Sequence, residues 1–83
     1  MCKPVVFQNI EPRRYLAIRA RLRAQADRME IDGDRGTASS ENFTCIWAYD
    51  EAARTLTIQY TKKPSWYPEG LAADKIRALV TSL

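Results

Sequence analysis

The stretch that decides the fold is residues 43–61, which read FTCIWAYDEAARTLTIQYT. Residues 43–49 and 55–61 are rich in β-branched and aromatic side chains, and neither run contains glycine or proline. Two such runs on either side of a short polar connection are typical of paired strands. The stretch therefore predicts an antiparallel β-hairpin over residues 43–61.

The length of the connection decides which side chains of this hairpin are buried. A four-residue connection, residues 50–53, gathers the large apolar side chains on one face and leaves threonines on the other. In that register the pairs are Trp47 with Leu56, Cys45 with Ile58, and Phe43 with Tyr60. A five-residue connection would exchange the faces of one strand relative to the other. The four-residue form is preferred because it buries more apolar surface and because such loops are common.

Two further segments have the pattern of amphipathic helices. Pro12 stands where proline favours the start of a helix, and the glycine-free and proline-free segment 13–30 is predicted to be helical. Its apolar side chains recur every three or four residues and form one stripe: Tyr15, Ile18, Leu22, Ala26 and Met29. Residues 71–83 form a second predicted helix, with one apolar face made by Ala72, Ile76, Leu79, Val80 and Leu83.

The remaining segments complete a small α+β fold. Residues 4–10 predict a short strand with Pro4 at its start. Residues 32–42 are rich in turn-forming side chains and predict a flexible loop, although the next strand could begin as early as Thr37. The chain is thus predicted to be a single small α+β domain, residues 1–83, in the order β-α-β-β-α.

The predicted architecture is a small antiparallel sheet covered on one face by two amphipathic helices. The hairpin 43–61 forms the sheet, and the N-terminal strand can join it. Because a crossover helix would connect them, that strand can lie parallel to a strand of the hairpin.

Several kinds of chemistry are excluded by composition. The 83 residues include no histidine, which removes the usual general base at neutral pH and the commonest zinc ligand. No glycine-rich phosphate-binding motif is present. The acidic pairs Asp32/Asp34 and Asp50/Glu51 lie in predicted turns, where acidic side chains are common. The sequence therefore predicts that the protein is not an enzyme and has no catalytic residue, no metal and no cofactor.

The sequence also indicates a compartment. No apolar run approaches the roughly 18–20 residues that a membrane-spanning helix needs, and the first residues lack the apolar core of a signal peptide. The two cysteines, Cys2 and Cys45, are expected to be reduced thiols in a reducing compartment; a Cys2–Cys45 disulfide is the alternative, for which the spacing gives no support. A cytoplasmic protein that does not bind membranes is the expectation.

Arginines are concentrated in the first predicted helix. Arg14, Arg21 and Arg28 recur at intervals of seven and would form a ridge along one flank of the apolar stripe. Guanidinium groups bind phosphate and carboxylate through two hydrogen bonds, so this ridge could follow a nucleic-acid backbone or an acidic partner. The simpler interpretation is that the aliphatic stems cover the core while the charged groups stay in water. The net charge of +3 is too small to decide for nucleic acid.

The connection between the hairpin and the last helix is the second candidate binding segment. It brings Lys62 and Lys63 close to Trp66 and Tyr67 in sequence. Stacked aromatic rings beside positive charges are common in sites for single-stranded nucleic acid, and tryptophan and tyrosine are also enriched at protein interfaces. The alternative is that the two rings pack over the open end of a small core while the lysines are solvated.

Self-association has two possible routes. Ala17, Ala20 and Ala24 lie on the back of the first predicted helix, where small side chains would let a second helix approach, although alanine is also an ordinary helix-favouring surface residue. An unpaired strand edge, or an Ile46 exposed among threonines, offers another route to a dimer.

The leading hypothesis is a small non-catalytic module that binds another protein, with self-association as one form of that binding. A partner that binds the sheet would meet its threonine-rich face, made by Thr44, Ile46, Thr57 and Gln59. The alternative is nucleic-acid binding through the arginine-rich helix and the connection. A third hypothesis is a minor enzyme or a small-ligand protein, and its ligand site requires a deep pocket lined by Trp47, Trp66 or Tyr67.

Overall fold

The protein is described by a computed structural model that covers residues 4–81. Its elements are β1 (Val5–Phe7), α1 (Pro12–Gln25), β2 (Arg28–Asp32), β3 (Arg35–Ser39), β4 (Thr44–Asp50), β5 (Thr55–Lys62) and α2 (Glu69–Thr81). The five strands form one sheet in the order β1-β5-β4-β3-β2, and every neighbouring pair is antiparallel. The α+β class agrees with the prediction, but the predicted order β-α-β-β-α is wrong, because two additional strands lie between α1 and the hairpin.

The hairpin formed by β4 and β5 has the predicted faces in a shifted register. Asp50 pairs with Thr55, so the connection has four residues but consists of 51–54 instead of 50–53. The Asp50 carboxylate accepts a hydrogen bond from the Ala53 N–H at 3.1 Å, and Arg54 closes the turn with a positive φ of 54°. Trp47 therefore faces Ile58 instead of Leu56. From Cys45 to Asp50 the predicted pairs are wrong by two residues, which preserves which side chains share a face, and a register irregularity between Thr44 and Cys45 sets Thr44 opposite Lys62.

The largest correction concerns residues 26–39. The first helix ends at Gln25 instead of continuing to residue 30, and Ala26 has an extended backbone. Residues 28–32 and 35–39, predicted as a helix end and a flexible loop, instead pair as β2 and β3. Gly33, with a φ of 62°, is the first residue of their two-residue connection, a position that suits glycine. Pairing of β3 with β4 extends the sheet outward, and these long-range hydrogen bonds outweigh the local helical pattern.

The N-terminal strand joins the sheet in the opposite direction from the one expected. β1 pairs antiparallel with β5, with Val5 opposite Ile58, so the predicted parallel arrangement is wrong. After β1 the chain turns at Asn9, which has a positive φ of 59°, and the Ile10 N–H bonds the Arg54 carbonyl at 2.9 Å. Helix α1 then crosses the sheet, because β1 and β2 form its two opposite edges.

Both helices pack on one face of the sheet and share one hydrophobic core with it. Along β4, buried residues alternate with exposed ones, and Trp47 is only 3% exposed. The helices contribute six buried side chains to this core: Tyr15, Ile18 and Leu22 from α1, and Ala72, Ile76 and Val80 from α2. The opposite face of the sheet, named here the open face, is not covered by either helix. No helix within residues 4–81 is long and apolar enough to cross a membrane.

Candidate functional site

The predicted arginine ridge does not exist, because its three members lie in two different elements. Arg28 is the first residue of β2, whereas Arg14 and Arg21 lie on α1. The Arg14 guanidinium donates a 3.4 Å hydrogen bond to the carbonyl of Val80, in the last turn of α2. Arg21 is half-buried, and its Nε atom is buried without a hydrogen-bond partner in the described part of the chain. Arg14 therefore contacts α2 through its guanidinium group, and the Arg21 side chain is partly buried beside the core.

In the connection between β5 and α2, Lys63 and Tyr67 are held by contacts and Trp66 is exposed. Lys63 is half-buried, and its Nζ donates a 2.7 Å hydrogen bond to the Tyr67 carbonyl. The Tyr67 ring packs edge-on against Phe43 at 5.1 Å between centroids, which anchors it to the end of the core. Trp66 touches only the edge of Tyr67 within this aromatic group and remains 77% exposed. Trp66 is therefore the ring that a partner could reach.

Sheet pairing brings Arg28 close to this connection, although 34 positions separate Arg28 from Lys62. Arg28 pairs with Ser39, Ser39 with Thr44, and Thr44 with Lys62. These four residues form one row across the sheet, so Arg28 and Lys62 are separated by three strand spacings, or about 14 Å. The structure therefore collects five predicted binding residues at one end of the sheet: Arg28, Lys62, Lys63, Trp66 and Tyr67. Arg14 is excluded from this group, since it contacts the opposite end of α2.

The free edge of β2 is a feature that the sequence analysis missed. β2 and β1 are the two edge strands, but β1 has only three residues and follows Pro4. β2 has five residues in regular register with β3 and contains no proline. Ile31 is 39% exposed at this edge, on the same side of the sheet as Trp47. Edge strands of this length can pair with another chain. Charged and apolar residues alternate over 28–32, and this alternation is the sequence pattern that indicates a strand here.

The open face is a second candidate surface, and it extends beyond the hairpin to β1. Ile46 and Val6 are both exposed there, on β4 and β1. Thr57 lies beside Val6 and is half-buried, as is Gln59 beside Ile46. The predicted threonine-rich face is therefore the open one, and Trp47 points to the other side.

Burial raises the pKa of two titratable groups in the core. Burial raises the pKa of the Cys45 thiol, and the backbone of Ala38 opposes this shift with a hydrogen bond. Burial also raises the pKa of the Tyr49 hydroxyl, and the negative charge of Glu51 adds to the shift. Both groups are therefore held in their neutral forms at physiological pH.

The acidic and cysteine side chains that the structure describes are not gathered into a metal site. Among residues 4–68 and 70–81, no group of three or more His, Cys, Asp or Glu side chains is placed to hold a metal ion. The cleft between the helices and the sheet is lined by none of the three aromatic residues predicted for a ligand pocket: Trp47, Trp66 and Tyr67. No protein-family model, curated protein or solved structure matches the chain. The candidate binding surfaces of the described residues are the free edge of β2, the open face and the row that joins Arg28 to Lys62.

Proposed function

We propose that this protein is a small non-catalytic module that binds another protein, and that its partner is a second copy of itself, joined along the free edge of β2. The order of side chains along β2 carries this proposal. The strand reads Arg-Met-Glu-Ile-Asp. An antiparallel pair of two such strands, centred on Glu30, sets Arg28 of each copy opposite Asp32 of the other. Opposite charges in directly facing positions stabilise a strand pair.

The apolar residues of the same strand support this pairing. In the register centred on Glu30, Met29 of each copy faces Ile31 of the other. Both side chains lie on the helix side of the sheet, because their partners on β3 are Ala38 and Gly36. Pairing would cover the exposed part of Ile31 and would satisfy the outward N–H and C=O groups of β2.

The size of this contact predicts a weak dimer. A five-residue strand edge buries much less surface than a standard protein interface of roughly 1,600 Å². We therefore expect a dissociation constant on the order of 10–100 µM for the isolated chain. In this dimer the sheets of the two copies would form one continuous sheet, with both open faces on the same side. The exposed side chains of Val6 and Ile46 on that side would then bind a further protein partner.

The chemistry of the core supports a role without catalysis. Cys45 and Tyr49 are buried, and their raised pKa values disfavour the anionic forms that act as nucleophiles. A free Cys45 thiol also suits a reducing compartment, so the cytoplasm is part of the proposal.

Sedimentation equilibrium of charge-reversal variants tests the β2 pairing. Arg28→Asp should raise the dimer dissociation constant about tenfold, because two attractive pairs become repulsive. Adding Asp32→Arg to that variant should restore association, since each copy again presents opposite charges. Arg13→Asp, the same charge change at an exposed site on α1, is the matched control and should have little effect. A wild-type chain that stays monomeric at millimolar concentration, or a double variant that fails to recover, would reject the β2 dimer.

Nucleic-acid binding is the second candidate, favoured by the row that joins Arg28 to Lys62 beside exposed Trp66. Phosphates could follow the two charges while a base stacks on the indole. Titration of a fluorescent single-stranded oligonucleotide should then show affinity that falls steeply with salt. Lys62→Gln and Trp66→Ala should each weaken binding severalfold, whereas Arg14→Gln should not. Absent or salt-insensitive binding eliminates this candidate.

A further inference from the structure

A cleft opens between the C-terminal half of α1, helix α2 and the helix side of the sheet. Its floor includes Ala38, Cys45 and Ile58, and its walls include Leu22 and Ile76. It encloses about 70 Å³, which is room for a few water molecules or for one short aliphatic chain. None of its lining residues belongs to β2, so the cleft is separate from the proposed dimer edge.

The cleft exists because two small side chains meet on the sheet beneath it. Ala38 of β3 and Cys45 of β4 are direct cross-strand partners, and both are buried. Protein interiors are normally packed with few voids larger than a water molecule. A larger side chain at position 38 would fill this space, so the sequence keeps a gap where packing alone would favour closure.

One charged side chain, Lys75 of α2, lines the cleft. Lys75 is exposed, and its Nζ lies 4.5 Å from the centroid of the Phe43 ring, so it stands at the mouth. Among the side chains that the structure describes, which are those of residues 4–81 except Glu69, no carboxylate forms an ion pair with it. The cleft therefore combines an apolar floor with a single positive charge at its entrance.

We propose that this cleft binds a short-chain aliphatic carboxylic acid, with its tail over Ala38 and Cys45 and its carboxylate at the Lys75 ammonium group. Burial of the tail supplies the affinity, at roughly a fourfold gain for each methylene removed from water. The ammonium group selects an anion and disfavours an amine of the same length. One lysine provides one point charge, which fits a monoanionic carboxylate better than a doubly charged phosphate.

Isothermal titration of the full chain with three six-carbon compounds tests this assignment. Hexanoate should bind saturably, at least threefold more tightly than 1-hexanol, and hexylamine should bind more weakly than either. Lys75→Met removes the charge and keeps an apolar stem, so it should abolish the preference for hexanoate over hexanol. Lys62→Met is the matched control at another exposed lysine and should leave that preference intact. No saturable binding of hexanoate, or equal binding of acid and alcohol, overturns the proposal.

The location of the site is tested by filling it and by protecting its thiol. Ala38→Leu should lower hexanoate affinity at least tenfold, and Ala38→Val serves if the leucine variant does not fold. In a Cys2→Ser variant Cys45 is the only thiol, and saturating hexanoate should slow its alkylation at least threefold, whereas hexylamine should not. Unchanged affinity in the folded filled variant, or an unchanged alkylation rate, places hexanoate elsewhere and overturns the assignment of this cleft.

Discussion

The indole N–H of Trp47 donates a buried hydrogen bond to the hydroxyl of Tyr15, with 3.0 Å between Nε1 and the oxygen. The Tyr15 ring also stacks on Tyr49, with centroids 4.3 Å apart and planes within 9° of parallel. Tyr49 in turn donates a 2.6 Å hydrogen bond to the carbonyl of Ile10, just before α1. These contacts fix α1 on β4, because each polar atom of the aromatic group has a partner inside the core.

Replacing Tyr15 by phenylalanine should destabilise the fold while it preserves the ring stacking. The change removes the acceptor of the Trp47 N–H, and a buried donor without a partner costs about 1–3 kcal/mol. Urea unfolding followed by tryptophan fluorescence would measure the change in the free energy of unfolding. Tyr67→Phe, at a half-exposed ring, is the control and should cost less. A loss below about 0.5 kcal/mol for Tyr15→Phe (about half of a typical net hydrogen bond) would show that the Trp47 N–H finds another partner.

A methyl group at position 36 should be destabilising because Trp47 covers Gly36. The two residues are cross-strand partners, and a Cβ atom at position 36 would overlap the six-membered ring of the indole. Gly36→Ala must therefore displace a tightly packed ring, at a cost of about 1–3 kcal/mol. Gly70→Ala is the matched control, since no atom lies near its Cβ position and alanine favours α2, so that variant should gain about 0.5–1 kcal/mol. Thermal unfolding of both variants measures whether each substitution lowers or raises the stability. A Gly36→Ala variant with unchanged stability would contradict the close contact with Trp47.

The stability of the protein should fall as pH rises above about 9. The folded state raises the pKa of Cys45 above its ordinary value of 9.0 and that of Tyr49 above 10.0. Between the ordinary and the raised values, the unfolded chain loses these protons while the folded chain keeps them. Unfolding then releases protons, so the free energy of unfolding decreases as pH rises.

Melting temperatures measured from pH 7 to pH 11 would detect this decrease. Cys45→Ala should reduce the decrease in melting temperature that begins near pH 9. Tyr49→Phe should reduce the decrease above pH 10. Each variant is also less stable at pH 7 for other reasons. A Tyr49→Phe curve that keeps the full slope above pH 10 would rule out this phenol as a cause.

The hairpin shows which part of the fold local sequence could predict. The faces of β4 and β5 were correct, because an apolar side chain on the wrong face costs burial energy at every second position. The exact cross-strand pairs of β4 and β5 were wrong, because a shift of two residues keeps the same side chains on the same face. Only the local bonds of Asp50 and Arg54 decide between those registers.

Residues 26–33 show where local sequence was ambiguous. Ala26 and Met29 continue the helical spacing of α1, whereas Met29 and Ile31 also alternate as in a strand. A Gly-Asp pair at 33–34 is a known two-residue hairpin signal and was the clue in favour of β2 and β3. The row that joins Arg28 to Lys62 could not be predicted either, since it depends on the pairing of four strands.

Glu30→Gln should strengthen the proposed dimer, because the two Glu30 side chains face each other at its centre. Like charges in directly facing positions destabilise a strand pair by about 0.2–1 kcal/mol, so their removal should lower the dissociation constant by up to about fivefold. Sedimentation equilibrium at 20 mM and 500 mM salt would separate this effect from packing, since the gain should shrink as salt screens the charges. Glu41→Gln, an exposed acid in the loop before β4, should leave association unchanged. Weaker association of Glu30→Gln would contradict a dimer in which repulsion between the two facing Glu30 side chains is the main effect of this residue.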